Sequence, residues 1–408
     1  MSAFFSDTAL SHWRWALVDG VGPLTFARLL ERFGDAEAAW RASAAELQHV
    51  EGIGANKAGR IARARGELRW EEEAQAAEQL GVRVICRADA EYPPGLRFIP
   101  DAPIVLYVKG ALRATDAVAL AVVGSRRCSV YGAEQARRFG ELLASVGFTV
   151  ISGLARGIDA FAQHGAVDVG GRSIAVIGSG LSEIYPPENR ALADKLLEHG
   201  AWVSELPIRT AVRAGNFPAR NRIIAGMSLG VLVVEAAARS GALITARFAS
   251  EYNREVFAVP GRAQDATAIG TNDLIRKGAA KLVTCLEDVL SELGDVGRIL
   301  TGLGVSGDVA NAAAQRAALA CEGSAQGEAD DAAVGAGGRS GFVPDVALNN
   351  AERQVLACLT DEPALQDAVL QAAALPTGEA IAAFTSLELK GLVRRLPGQM
   401  IARRGGAP

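Results

Sequence analysis

The chain has 408 residues, a formal net charge of −4 and an apolar half; that length predicts two or three domains with ample core, and the acidic balance excludes a global basic field for nucleic acid, so any such contact must use a local patch. Five scattered cysteines (86, 128, 285, 321 and 358) without a C-x-x-C pair, and four histidines without a cluster, argue against a metal site and a disulfide framework. No membrane span is expected from strand-length apolar runs, and the first fifteen residues have no basic segment before an apolar one, so a reduced, cytoplasmic protein is expected.

Residues 1–78 read as a helical domain with two turns, in "VDGVGPLTFARLLERFG" and "LQHVEGIGANKAGRIARAR". Each turn is Gly-apolar-Gly between apolar helices. The second is similar to a helix-hairpin-helix, with Gly52, Ile53, Gly54, Lys57 and Ala58 in place, whose backbone N–H groups can face a phosphate. A plain packing turn stands beside that reading. At the first turn packing is preferred, because Pro23 removes a donor.

Residues 80 to 113 read as a connector of short strands and turns on a sheet edge. From about 117 to 290 apolar strands alternate with helices. The strands are "VALAVVGS", "FTVISG", "SIAVIGS", "AWVSEL", "GVLVVEA" and "EVFAVPG". Their near-continuous apolar character predicts a parallel sheet covered on both faces. The fold class is α/β: a Rossmann-like parallel-sheet core over 79–295, an N-terminal helical domain and a C-terminal third domain. Residues 296–346 read as a linker, with "QGEADDAAVGAGGRSG" lacking any apolar period. Residues 347–408 read as a winged helix, three helical segments ending in "LVRRLPGQMIARR". Its recognition-helix candidates are poor in base-reading side chains. Lys390, Arg394, Arg395, Arg403 and Arg404 gather in the last turn and wing, which suits a partner or weak duplex contact as well as a solvated face.

Ligands of parallel sheets sit at the carboxyl ends of strands. The dinucleotide reading needs G-x-G-x-x-G and an acid ending the second strand. Gly124-Ser125-Arg126-Arg127-Cys128 lacks the second glycine, "GSGLSE" puts Glu183 at the third, and the second strand ends in Ser152-Gly153. No P-loop pattern occurs. What remains is a rim carrying Ser125, Arg126, Arg127, Arg156, Arg213, Arg220, Arg222 and Arg262. Arginines spread over several loops suit a run of phosphates. Arg137 and Arg138, within the next helix, read as solvated or ion-paired.

Ordered motifs then carry a specific resemblance: "GSR" (124–126), "SGLARGIDAFAQHGA" (152–166), "AVIGSGLSEIYPPEN" (175–189), "FPARNRIIAG" (217–226), "VVEAAARSGALITARFA" (233–249), "VFAVPG" (256–261) and "GTNDLIRKGAAKLV" (270–283). The chain resembles the DNA-processing protein A (DprA/Smf) family. The N-terminal domain, SAM-like or helix-hairpin-helix-like, and the winged-helix tail are similar to those of many members. The resemblance implies a non-enzymatic protein that binds single-stranded DNA, protects incoming DNA during natural transformation and helps load RecA recombinase. It implies a homodimer, here through about 240 to 275, with no cofactor or metal. The DNA-binding positions it implies are Gly124, Ser125, Arg126, Arg156, Gly157, Tyr185, Asn189, Arg190, Asn221 and Arg222. Two departures stand out: Pro187 replaces a basic residue common in relatives, for which Arg190 or Arg222 would substitute, and Ser182 stands where many have Asp.

The rival reading is an enzyme, a phosphoribohydrolase of the lysine-decarboxylase-like (LOG) group. That group carries a Gly-Gly-x-Gly-Thr turn and a glutamate. Here "EAAARSGALITA" has Glu235 but neither the double glycine nor the following glutamate. A scaffold that binds only protein is the third reading, against which the rim arginines count.

Overall fold

The structure, a computed structural model, describes residues 4–294, 350–359, 364–365, 369, 387, 393–396 and 400–403. The linker expected over 296–346 lies outside the described residues. The chain divides into two compact units, Met1–Asp331 and Ala332–Pro408.

The first unit opens with helices α1 (Asp7–Ala16), α2 (Pro23–Phe33), α3 (Ala36–Arg41), α4 (Ala44–Leu47), α5 (Ala55–Glu67) and α6 (Trp70–Gln79). Side-chain caps start several of them. Ser6 accepts from the Ala9 amide, Asp35 from the Ala38 amide, and Ser43 with Glu46 forms a capping box. An internal repeat runs through this segment. An offset of 32 residues carries Gly20 (φ +82°) onto Gly52 (φ +79°), and the N-cap Gly22 onto the N-cap Gly54. It also carries buried Val18, Val21, Phe26 and Leu29 onto buried Val50, Ile53, Ala58 and Ile61. Only glycine adopts that positive φ without strain. The equivalent Thr25 and Lys57 hydrogen-bond to each other at 3.0 Å, so the two copies meet across a pseudo-two-fold axis.

This segment shares a hydrophobic cluster with the sheet. Trp13, Leu47 and Ile61 belong with Val82, Tyr107 and Trp202. The Trp13 indole donates to the Tyr107 hydroxyl at 2.7 Å, and the Ile208 amide donates to Glu73 at 2.5 Å.

The sheet has nine strands: β1 (Val82–Cys86), β2 (Val105–Gly110), β3 (Ala119–Val123), β4 (Thr149–Ser152), β5 (Ser173–Val176), β6 (Ala201–Ser204), β7 (Gly230–Val233), β8 (Glu255–Ala258) and β9 (Lys281–Leu282). Their order is β1-β2-β6-β5-β4-β3-β7-β8-β9. From β6 to β9 every pairing is parallel; β1 and β2 extend the β6 side as antiparallel strands. β3 through β7 are buried along their whole length, because helices cover both faces. Helices α8 (Val130–Ser145) and α9 (Ile158–Asp168) pack one face with Leu120, Val122 and Leu232. On the other, α11 (Asn216–Gly226) and α12 (Ala242–Glu251) pack on Ala121, Val123 and Val233. The remaining helices of the unit are α7 (Pro94–Arg97), α10 (Arg190–His199), α13 (Ile269–Arg276) and α14 (Leu286–Glu292). The α8–α9 contact is close: a Cβ on Gly140 would strike the Ala162 carbonyl, and one on Gly165 the Arg137 carbonyl.

In the second unit α15 (Asn350–Ala357) precedes strands β10 (Ala364–Leu365), β11 (Val393–Leu396) and β12 (Met400–Arg403), ordered β10-β12-β11. The β11–β12 hairpin pairs Leu396 with Met400, as the closing strand-turn-strand of a winged helix requires. Val355, Leu359, Val369, Leu387 and Val393 form its small core.

Candidate nucleic-acid interface

Strand order positions the site. The chain leaves β3 for β4, β5 and β6 on one side, then returns to lay β7 on the other side of β3. At such a reversal the loops after adjacent strands diverge and leave a crevice. Here it is a cavity of about 800 Å³ lined by the turn after β3, the loop after β4, the start of α11 and the turn before α12.

Backbone contacts fix the β3 turn. The Ser125 amide donates to the Glu235 carbonyl at 2.7 Å, and the Ser125 carbonyl accepts from the Ile158 amide at 3.2 Å. The Arg127 amide donates to Ser125 Oγ at 3.2 Å. Gly157 has φ +74°, and a Cβ there would strike the Ser125 carbonyl; Gly124 is hemmed in by Ile158 and the Glu235 carbonyl. The Glu235 carboxylate accepts from the Ser129 amide at 3.1 Å and its hydroxyl at 2.5 Å, anchoring the start of α8.

The turn presents Arg126 to solvent. Its guanidinium lies 4.9 Å from the centre of the Phe217 ring and makes no ion pair among the described residues. Phe217 and Tyr185 stand 6.1 Å apart with ring planes at 40°. Arg127 and Arg239 add exposed cations to the lining. Arg156, at the rim, lies over the Tyr185 ring at 5.9 Å and donates to the Glu188 carboxylate.

Beneath these groups Arg220 is buried. It donates to the carbonyls of Gly153, at 2.7 Å, and Val176, and to Asn221 Oδ1 at 3.2 Å, so it ties the ends of β4 and β5 together. Burial pushes its pKa down to about 10, Asp159 opposes the fall and Arg126 adds to it; it is a cation at neutral pH. Among the described residues Asp159 is the one carboxylate on the wall. It accepts from the Gly153 amide at 3.1 Å; its burial raises its pKa, against the pull of Arg220 and the loop amides.

Of the candidate residues, the structure brings Gly124, Ser125, Arg126, Tyr185 and Asn221 onto one wall, with Gly157 behind the turn and Arg156 at the rim. Three lie elsewhere. Arg222 is buried, pairs with Asp101 at 3.4 Å and donates to Glu205. Asn189 is buried and donates to the Leu154 carbonyl at 2.9 Å, bracing a loop in which Leu154 takes φ +54°. Arg190 pairs with Asp194 at 3.2 Å and lies over Trp202. Phe217 and Arg239 were not singled out by sequence. An aromatic residue opening a helix beside arginine-bearing loops is the signal that marks Phe217.

The wall thus offers cations and aromatic faces, while its one carboxylate is buried and engaged. Among the described residues no group of three or more His, Cys, Asp or Glu side chains could hold a metal ion.

The family model of DNA recombination-mediator protein A matches residues 83–294. The chain belongs to that family. A second model, the DprA winged helix domain, matches residues 343–399. Among curated relatives, protein Smf of Synechocystis sp. is 36% identical over 405 residues, 98% of this chain and 100% of that protein. Protein Smf of Escherichia coli is 52% identical over 208 residues, 50% of this chain and 55% of that protein. Among solved structures, the X-ray structure of DNA processing protein A from Streptococcus pneumoniae superposes with a TM-score of 0.62 at 33% identity, covering 70% of this chain and 98% of that one. The family's match spans the sheet from β1 to α14, so every loop lining the crevice falls within it.

Proposed function

We propose that the crevice binds single-stranded DNA, with phosphates on Arg126, Arg127 and Arg239 and a base on Phe217 and Tyr185. The observation that carries this reading is Arg126, a cation that makes no ion pair among the described residues and stands over an aromatic ring. Single strands combine an anionic backbone with exposed base faces, and a groove of arginines and aromatic rings serves both at once. A duplex keeps its bases stacked inside and would leave the rings unused. No carboxylate on the wall is free for acid–base work, which favours binding over hydrolysis.

On this reading the protein acts in DNA processing during natural transformation, protecting incoming strands and passing them to RecA recombinase. It works in the cytoplasm as a homodimer through residues 240 to 275.

The test is binding of a labelled oligothymidine and of its duplex as salt is raised. The single strand should bind far more tightly, with little preference among sequences; equal affinity for both forms would sink the reading. Competition by a nucleoside monophosphate at micromolar concentration would instead favour the small-nucleotide alternative.

A further inference from the structure

We propose that a second cleft, between the N-terminal helices and the connector that precedes β2, receives an acidic peptide segment of a partner protein carrying a bulky apolar side chain. The cleft has a volume of about 350 Å³ and shares no lining residue with the strand-end crevice. Much of its wall lies before residue 83, where the family's match begins.

Its walls are apolar: Phe26 and Leu30 from α2 face Phe98 and Ile104 from the connector. The volume is at the lower end of the roughly 300–1,000 Å³ usual for ligand pockets, and suits one or two inserted side chains. The His12 ring stands edge-on to Phe26 at 5.1 Å, and its Nδ1 lies 2.9 Å from the Thr8 carbonyl. With Nδ1 donating to that carbonyl, Nε2 is left as an acceptor.

Charge makes the selection. Arg87 and Arg97 line the cleft and no carboxylate does. Of the acids next to the lining in sequence, Glu31 is exposed and outside the cleft, and Asp89 and Asp101 are held by other partners, Asp89 lying near enough to act on His12. Asp89 accepts from the Cys86 amide at 2.7 Å and from Ser6 Oγ at 2.9 Å. Asp101 accepts from the Tyr252 hydroxyl at 2.7 Å and pairs with Arg222. The Arg97 side chain is held by the Asp89 carbonyl at 2.9 Å, and its Nε is buried without a partner. Arg87 is exposed and makes no ion pair among the described residues. Two guanidinium groups beside an apolar cleft, on a chain of net charge −4, complement an apolar side chain flanked by carboxylates. A nucleotide fits worse. Its base edge and ribose hydroxyls would lie unpaired against Phe26, Leu30 and Ile104, and burying unpaired polar groups is costly.

Fluorescence anisotropy on the full chain tests this with a fluorescein-labelled peptide, Asp-Asp-Phe-Asp-Asp-Phe, and a counterpart with lysine for aspartate. The acidic peptide should bind at least about tenfold more tightly, and more weakly as salt rises. Arg87→Glu and Ala27→Trp, the second filling the cleft, should each weaken it about tenfold or more while leaving oligothymidine binding and the thermal midpoint unchanged. Equal binding of the two peptides, or binding insensitive to either substitution, would overturn the proposal. So would displacement of the peptide by oligothymidine, which assigns the cleft to nucleic acid. A peptide-induced shift from dimer to monomer in sedimentation would overturn it too, by assigning the cleft to a second copy of the chain.

Discussion

Arginines with the same apparent promise in sequence have different fates in the fold. Arg126 lies over Phe217 with no ion pair among the described residues, whereas Arg137 is paired with Glu141 and Asp168. Arg126→Ala should therefore weaken oligothymidine binding by about 1–3 kcal/mol and lower the salt slope by about 0.7, one single-strand phosphate's worth. Arg137→Ala is the matched control and should change neither in the same titration. Phe217→Ala should cost about 1–3 kcal/mol of binding, the usual worth of one stacked base, and Phe217→Tyr should retain most of it. Arg222→Ala should act on the fold instead. It leaves the partly exposed Glu205 without its partner, and loss of one member of such a largely buried pair costs on the order of 3 kcal/mol. A urea midpoint that falls while the intact fraction binds DNA normally is the expected result; an unchanged midpoint with weakened binding would return Arg222 to the interface. Sequence placed these residues near the strand ends because strands and turns are local signals. It could not sort them, because the partners that engage Arg222 are Asp101, Glu205 and the Asp101 carbonyl, set by tertiary packing.

Six of the seven described parallel strands, β3 to β8, were readable as apolar runs because both faces of the sheet are covered there, so no polar alternation interrupts them; the two-residue edge strand β9 is exposed and carries no such run. The crevice was readable for a related reason: a parallel sheet puts its loops on one end. Less readable were the backbone constraints that shape those loops. Gly157 is such a case. Its positive φ and its contact with the Ser125 carbonyl arise from the meeting of two loops distant in sequence. Gly157→Ala should cost about 1–3 kcal/mol in backbone strain and should displace the turn that carries Arg126. Thermal unfolding and oligothymidine titration of that one variant should therefore both respond. A loss of stability with full binding would show that the turn relaxes without moving Arg126.

At the scale of the whole molecule, the N-terminal helices and the sheet are joined by a common core, and His12 lies within that join. Burial lowers its pKa from 6.5, against weaker upward pulls from the Thr8 carbonyl and Asp89. The unfolded chain therefore takes up this proton first as pH falls. The contribution to stability is complete above about pH 6.5 and fades as pH drops below it. Between pH 7.5 and 5.5, urea midpoints should fall further for the native chain than for His12→Gln. The opposite order would mean that the folded state protonates His12 readily. Asp159 and Glu205, whose pKa values are raised by desolvation, act in the reverse sense on acidification, and they cancel in the comparison because both proteins carry them.

The repeated hairpins have a consequence of their own. Where Thr25 meets Lys57, each copy presents to the other the position that it receives, which is the geometry of an isologous interface. Residues 18 to 61 are in that sense a homodimer fused into one chain. Fusion releases the two copies from having to be identical. Residues buried in both copies, such as Leu29 and its equivalent Ile61, must stay apolar, but a position outside the core can change in one copy alone. Pro23 and its counterpart Ala55 have done so: one helix begins with a residue that has no amide hydrogen, and the other keeps it. A true dimer of two identical chains would carry the proline twice or not at all.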